Sequence, residues 1–167
     1  MRARGFTLIE MMAVIVIIAL LSTAAALSFS RPLAAARARD AIGQIRSLDS
    51  SARQFARRWG RTVQIVLDLS NRTLARREHD VNTFVTSLPS GCRIDEVRMS
   101  NRRESVGEVA IECSANGLSR TYAVHVVGPQ LDQWLVFAGL SGQVTQVNDV
   151  SQLDAIFPQT ATGDDAD

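Results

Sequence analysis

From Met11 to Leu27 the chain carries no charge, no Pro and no Gly, and its only polar side chains there are Ser22 and Thr23. Counted from Phe6, the apolar segment is 22 residues long. As a helix rising ~1.5 Å per residue it would cover ~33 Å, enough for a bilayer core of ~30 Å. Residues 6–30 therefore read as a membrane-spanning helix. Pro32 then removes one backbone donor, which predicts a kink rather than a stop. Beyond it Ala34, Ala35, Ala36, Ala38 and Ala41 favour helix. Ile42, Ile45, Leu48, Ala52, Phe55, Ala56 and Trp59 recur at three- and four-residue steps as one apolar stripe. Arg37, Arg39, Arg46, Arg53 and Arg57 are assigned to the opposing, solvated faces. Residues 31–60 thus continue the helix in amphipathic form until Gly60 stops it.

After Gly60 the period changes to alternation. Thr62–Leu69 and Thr73–Glu78 read as a hairpin about Ser70-Asn71-Arg72, followed by a less regular stretch through Pro89 and Gly91. Further strands are expected at 92–99, 108–113, 120–127, 134–138 and 143–147. Asn116-Gly117 marks a hairpin turn, and Leu140-Ser141-Gly142 turns the chain into the last strand. Residues 61–157 are read as a β-sheet domain, and residues 158–167 as a small, polar, acidic and disordered tail. One long helix followed only by strands predicts an α+β fold, with the amphipathic half-helix packed on a mostly antiparallel sheet.

Composition narrows this picture little. Of 167 residues, about 130 lie outside the apolar segment, enough for one small domain. Net charge is +1, so no global field selects nucleic acid. Residues 31–120 hold 16 Arg against 10 acidic residues, whereas residues 121–167 hold no Arg and six Asp. The basic residues ahead of the apolar run, Arg2 and Arg4, place the amino terminus in the cytoplasm and the rest of the chain across the membrane.

Glu10 does not fit a plain anchor. An ionised carboxylate inside an apolar span costs several kcal/mol unless a cation meets it. A secretory signal peptide, with Ala24-Ala25-Ala26 as its cleavage site, leaves Glu10 without a reason, and so does an uncleaved anchor. The run Gly5-Phe6-Thr7-Leu8-Ile9-Glu10 before a charge-free helix resembles the signal of type IV prepilins and type II secretion pseudopilins. That resemblance implies a leader of residues 1–5 removed by the prepilin peptidase after Gly5. It also implies N-methylation of the new terminus Phe6, and pairing of Glu10 with a neighbouring subunit's terminal amine.

The second half narrows the resemblance. A helix ending Ala56-Arg57-Arg58-Trp59-Gly60-Arg61, then Val63-Gln64-Ile65-Val66-Leu67-Asp68-Leu69 and a hairpin, is similar to the H-type minor pseudopilins (the GspH/FimT domain). The later Leu-Pro-Ser-Gly bend, Asn-Gly turn and Leu-Ser-Gly-Gln-Val strand agree with it. The resemblance implies a structural subunit of the type II secretion pseudopilus, near its tip, supporting export across the outer membrane. Implied partners are major and minor pseudopilins, the prepilin peptidase, the inner-membrane assembly platform, and secreted cargo or the outer-membrane secretin. The alternative is a minor type IV pilin serving pilus assembly or DNA binding in transformation; the Arg-free, Asp-bearing end of the chain speaks against nucleic acid.

No enzyme is expected. Gly139-Leu140-Ser141-Gly142 lacks the spacing of a nucleophile elbow, and no Gly-rich loop enters a helix as a phosphate cradle would. No cofactor or metal is expected either, since His79 and His125 are isolated and there is no Cys-x-x-Cys pair. Cys92 and Cys113 both point inward on alternation. A disulfide between them and two buried free thiols fit the residues equally well.

Overall fold

The computed structural model describes residues 7–100 and 102–157, without the side chains of residues 24–31. Helix α1 runs from Leu8 to Trp59. Its 52 residues correspond to a rod of about 78 Å at ~1.5 Å per residue. Thr7 caps its start, its hydroxyl accepting from the Glu10 N–H at 3.4 Å. Gly60 ends it in the left-handed region at φ 59° and returns its N–H to the Ala56 carbonyl, a conformation a side chain would strain. Pro32 sits inside the helix without ending it.

Among the described residues, nine strands and a short helix follow. They are β1 (Val63–Asp68), β2 (Thr73–Glu78), β3 (Val81–Ser87), β4 (Arg93–Met99), β5 (Arg102–Glu104), β6 (Glu108–Cys113), β7 (Tyr122–Gly128), β8 (Leu131–Phe137), β9 (Val144–Val147) and α2 (Val150–Ile156). They form two antiparallel sheets, ordered β3-β2-β1-β6 and β5-β4-β7-β8-β9, where one sheet is expected from the sequence. The α+β architecture stands, with the second half of α1 laid on the sheets.

The differences from the expected elements have physical reasons. β3 lies in the stretch read as irregular. It is an edge strand with almost every side chain exposed, so it carries no alternation to read. A two-residue turn, His79-Asp80, joins it to β2 with both residues at positive φ. Asn116-Gly117 does turn the chain, the Gly117 N–H donating to Ser114 O at 2.7 Å. It does not join two paired strands, however. β6 pairs with β1 while β7 pairs with β4 and β8, and only the Cys113–Ser119 bridge spans the turn. The Asn-Gly turn is one of three places where the chain crosses between the sheets, with β3–β4 and β5–β6.

The main core lies between α1 and the sheets. Ala38, Ala41, Ile45, Leu48, Ala52 and Ala56 are its helix side, against Val63, Ile65, Leu67, Val109, Ile111, Val124 and Leu135. Tyr122 and Phe137 stack within it at 4.6 Å. Phe55 is half-buried, and Trp59 is 58% exposed. Spacing puts both in the stripe, but Trp59 lies one turn past Ala56, beyond the sheets, with the Phe55 ring at 6.1 Å and the Arg58 guanidinium at 6.0 Å as its neighbours. A smaller cluster, Ala123, Trp134, Val136, Val147, Leu153 and Phe157, lies beneath α2.

Candidate functional site

Two regions carry the chemistry. The first is the amino-terminal half of α1. Leu8, Ile9, Ile15, Leu20 and Leu21 are each at least 65% exposed. Glu10 stands exposed in the first helical turn, where a carboxylate meets the positive end of the helix dipole. Gly5 and Phe6, the expected cleavage and methylation positions, and the expected tail of residues 158–167 lie outside the described residues. Among the described residues no helix is long and apolar enough to cross a membrane. In the sequence the apolar run continues past Thr23 to Leu27.

The second region is a buried polar cluster under the last turns of α1. Arg53, expected on the solvated face, is 4% exposed, and Asp49 is 1% exposed. The Arg53 Nε donates to the Asp49 carboxylate at 2.8 Å. Its Nη1 donates to Gly139 O at 2.7 Å and Gly117 O at 3.2 Å, and its Nη2 to Ser119 Oγ at 2.8 Å. The other Asp49 oxygen accepts from the Tyr122 hydroxyl at 2.9 Å. Burial disfavours the Arg53 charge, but the hydrogen bond and charge of Asp49 outweigh it, and its pKa rises. Burial, then the Asp49 carboxylate, push the Tyr122 phenol well above its usual pKa, so it remains a donor. One guanidinium thus ties α1 to the β6–β7 crossover and the β8–β9 turn. The sequence signal for it was an Asp-Arg pair four residues apart beside the apolar stripe.

The crossing is also close. A Cβ at Gly139 would meet Ser119 O at 2.1 Å, so only glycine lets the two loops touch where Arg53 reads them.

Both cysteines are buried and free, which replaces the disulfide considered from the sequence. The Cys92 thiol lies 3.8 Å from Arg37 O, while Cys113 feels the charges of Arg53 and Asp49. Arg37 and Arg53 are 16 residues apart on α1, about 24 Å at ~1.5 Å per residue, whereas a disulfide needs Cα atoms within ~7 Å. Burial pushes both thiols up in pKa. His79 is exposed, and His125 stacks on Trp134 with Nε2 2.7 Å from Asp132. Among the described residues no group of His, Cys, Asp and Glu could hold a metal ion.

An exposed apolar half-helix, headed by a carboxylate and continuing into an α+β domain of two antiparallel sheets, defines the pilin-like fold. Residues 1–26 match the family described as the prokaryotic N-terminal methylation motif. The domain is similar to the minor pseudopilin EpsH from the type 2 secretion system of Vibrio cholerae, at 9% identity and TM-score 0.51, over 66% of this chain and 95% of that one. A second EpsH structure gives 10% identity and TM-score 0.50, over 69% and 97%. The type IV minor pilin FimU of Pseudomonas aeruginosa gives 11% identity and TM-score 0.50, over 66% and 87%. No curated protein sequence matches the chain.

Proposed function

We propose that this chain is a minor pseudopilin of a type II secretion system, a structural rather than catalytic subunit. The observation that carries the reading is the conjunction of a methylation motif over residues 1–26 with a helix running unbroken from Leu8 to Trp59 into a pilin-like domain. The apolar half of α1 anchors the chain in the inner membrane, with its amino terminus cytoplasmic and the sheets in the periplasm. The prepilin peptidase cuts after Gly5, leaving Phe6 as an N-methylated terminus. In the filament the apolar half packs against the helices of other pseudopilins, and Glu10 neutralises a neighbour's terminal ammonium. Without that ion pair one buried charge would stand alone, at a cost of several kcal/mol. The assembly platform, secreted cargo and the outer-membrane secretin are its remaining partners. A minor type IV pilin is the second reading, favoured by the likeness to FimU.

Glu10→Gln tests the proposal, since it keeps shape and hydrogen-bonding capacity while removing the charge. Mass spectrometry should find wild type and variant alike beginning at N-methylated Phe6 and resident in the membrane. The variant should no longer cross-link to partner subunits. Loss of protein export would select the pseudopilin reading, and loss of pili the minor-pilin one. A mature terminus near Leu27 would establish an ordinary signal peptide and end both.

A further inference from the structure

The second sheet is apolar on both faces. Tyr122, Val124, Leu135 and Phe137 belong to the main core, while Ala123, Trp134 and Val136 alternate with them and point the other way, beneath α2. That cover is slight. Of residues 150–157 only Leu153 and Phe157 are buried. The backbone hydrogen bonds at its two ends are local: Asp149 accepts from the Ser151 N–H at 2.9 Å, and the Phe157 N–H donates to Leu153 O at 2.8 Å. Among the described residues one side-chain bond ties α2 to the sheets, from Arg98 Nη1 to Asp154 at 2.9 Å, and the Asp154 side chain is 52% exposed. A cavity of about 400 Å3 lies beside its first turn, lined by Val150, Arg98, Arg103, His125 and Trp134.

Seven residues are too few to hold a helix in water, so α2 is helical only while docked. Lifting it strands no charge. Arg98 keeps Glu96, to which its Nε donates, and keeps the Trp134 ring 4.8 Å from its guanidinium; both partners belong to the sheet. Asp154 passes from half-exposed to fully solvated. Trp134 stays stacked on His125 at 4.6 Å. The main core shares no residue with the cluster under α2, so it keeps its packing. Opening is opposed by the burial of two side chains and of the face beneath them, and favoured by the conformational freedom of eight residues. A segment balanced in this way opens on its own, at a lower free energy than the domain.

We propose that α2 is a strap that opens and closes as a unit on an otherwise folded domain, gating the apolar outer face of the second sheet. Closed, it shields Trp134, Val136 and Val147. Open, it presents them as an apolar patch bordered by the Arg98 guanidinium. Asn148 and Asp149, between β9 and α2, are its hinge. The strap stands apart from the subunit reading above, since nothing in it depends on a membrane or a filament.

The test is amide hydrogen exchange on the full chain in detergent micelles, with Trp134 followed by acrylamide quenching in a Trp59→Phe background. The amides of Asp154 to Phe157 should be protected, yet exchange at least about tenfold faster than those of β7 and β8. Leu153→Ala should speed them about tenfold or more. It should also open Trp134 to the quencher and leave β7 and β8 protected as before. Asp154→Asn should act in the same direction, more weakly. Exchange of α2 at the rate of β7 and β8 would make its opening global and overturn the inference. So would an α2 without protection in the unsubstituted chain, loss of β7 and β8 protection in Leu153→Ala, or a Trp134 that stays shielded there.

Discussion

Arg53 shows how far one side chain can decide the seating of a helix. Its four nitrogen-to-oxygen contacts go to Asp49 on its own helix, two backbone carbonyls and Ser119; the first three are buried and the Ser119 contact is half-buried. Removing one member of a buried pair leaves the other uncompensated, so Arg53→Met should cost ~3–5 kcal/mol in urea denaturation. Adding Asp49→Leu should recover part of that loss, because the stranded carboxylate goes with it. Strict additivity of the two substitutions would show that the pair is not coupled. The cysteines make the complementary point. Buried and raised in pKa, both thiols should resist a thiol reagent in the native chain and both should react in denaturant. A non-reducing gel should show no internal cross-link.

At the scale of elements, α1 divides by what covers it rather than by what it is made of. Leu48 is 2% exposed between helix and sheets, so Leu48→Ala should cost ~2–5 kcal/mol. Trp59, larger but uncovered, should change stability by no more than ~0.5 kcal/mol when truncated to Ala. Phe55 belongs between them, its ring half-buried and capped by the Arg76 guanidinium. Thermal melts of the three variants rank them directly. A destabilising Trp59→Ala would place that ring in the core and contradict its exposure. β3 obeys the same logic in reverse: backbone pairing with β2 and the hydrogen bonds of Arg76 to Thr83 and Arg77 to Asn82 hold it, while Val81, Phe84 and Val85 stay exposed.

For the whole molecule, acid is the expected denaturing direction. Asp68 is held below the usual carboxylate range by the Asn71 backbone N–H and then its side-chain amide. Glu108 is lowered by its hydrogen bonds to Arg77, and Asp149 by the Ser151 N–H that it caps. Each folded pKa lies below its unfolded value. The stability they contribute is therefore complete above the ordinary carboxylate pKa of ~4 and is lost as pH falls through the depressed folded values. The urea midpoint should stay level from neutral pH to ~5 and decline below it. All three groups are largely solvated, so the decline is shallow. Asp68→Ala should flatten it further, and a midpoint that climbs on acidification would refute the assignment.

The sequence by itself determined the elements whose signal is local. A charge-free run headed by Glu10 is a statement about solvent, and the alternation of Glu108–Cys113 is a statement about one buried face. Val63–Asp68 and Thr73–Glu78 show their strand character through inward Val63, Ile65, Leu67 and Leu74, although Val66 and Ala75 on the other face are buried too. Those strands, the glycine stop at Gly60 and the turn at Gly142 were all legible for that reason. Tertiary structure decided whatever depends on residues far apart in the chain. Whether Asn116-Gly117 closes a hairpin or crosses between sheets depends on which strand lies beside β6, and β1 takes that place. Whether Arg53 faces water depends on two carbonyls 64 and 86 residues away. Cys92 and Cys113 alternate alike, yet they sit against opposite ends of the packed half of α1. A side chain's pattern along its own element reports which way it points; what waits there is set by the long-range packing of the other elements.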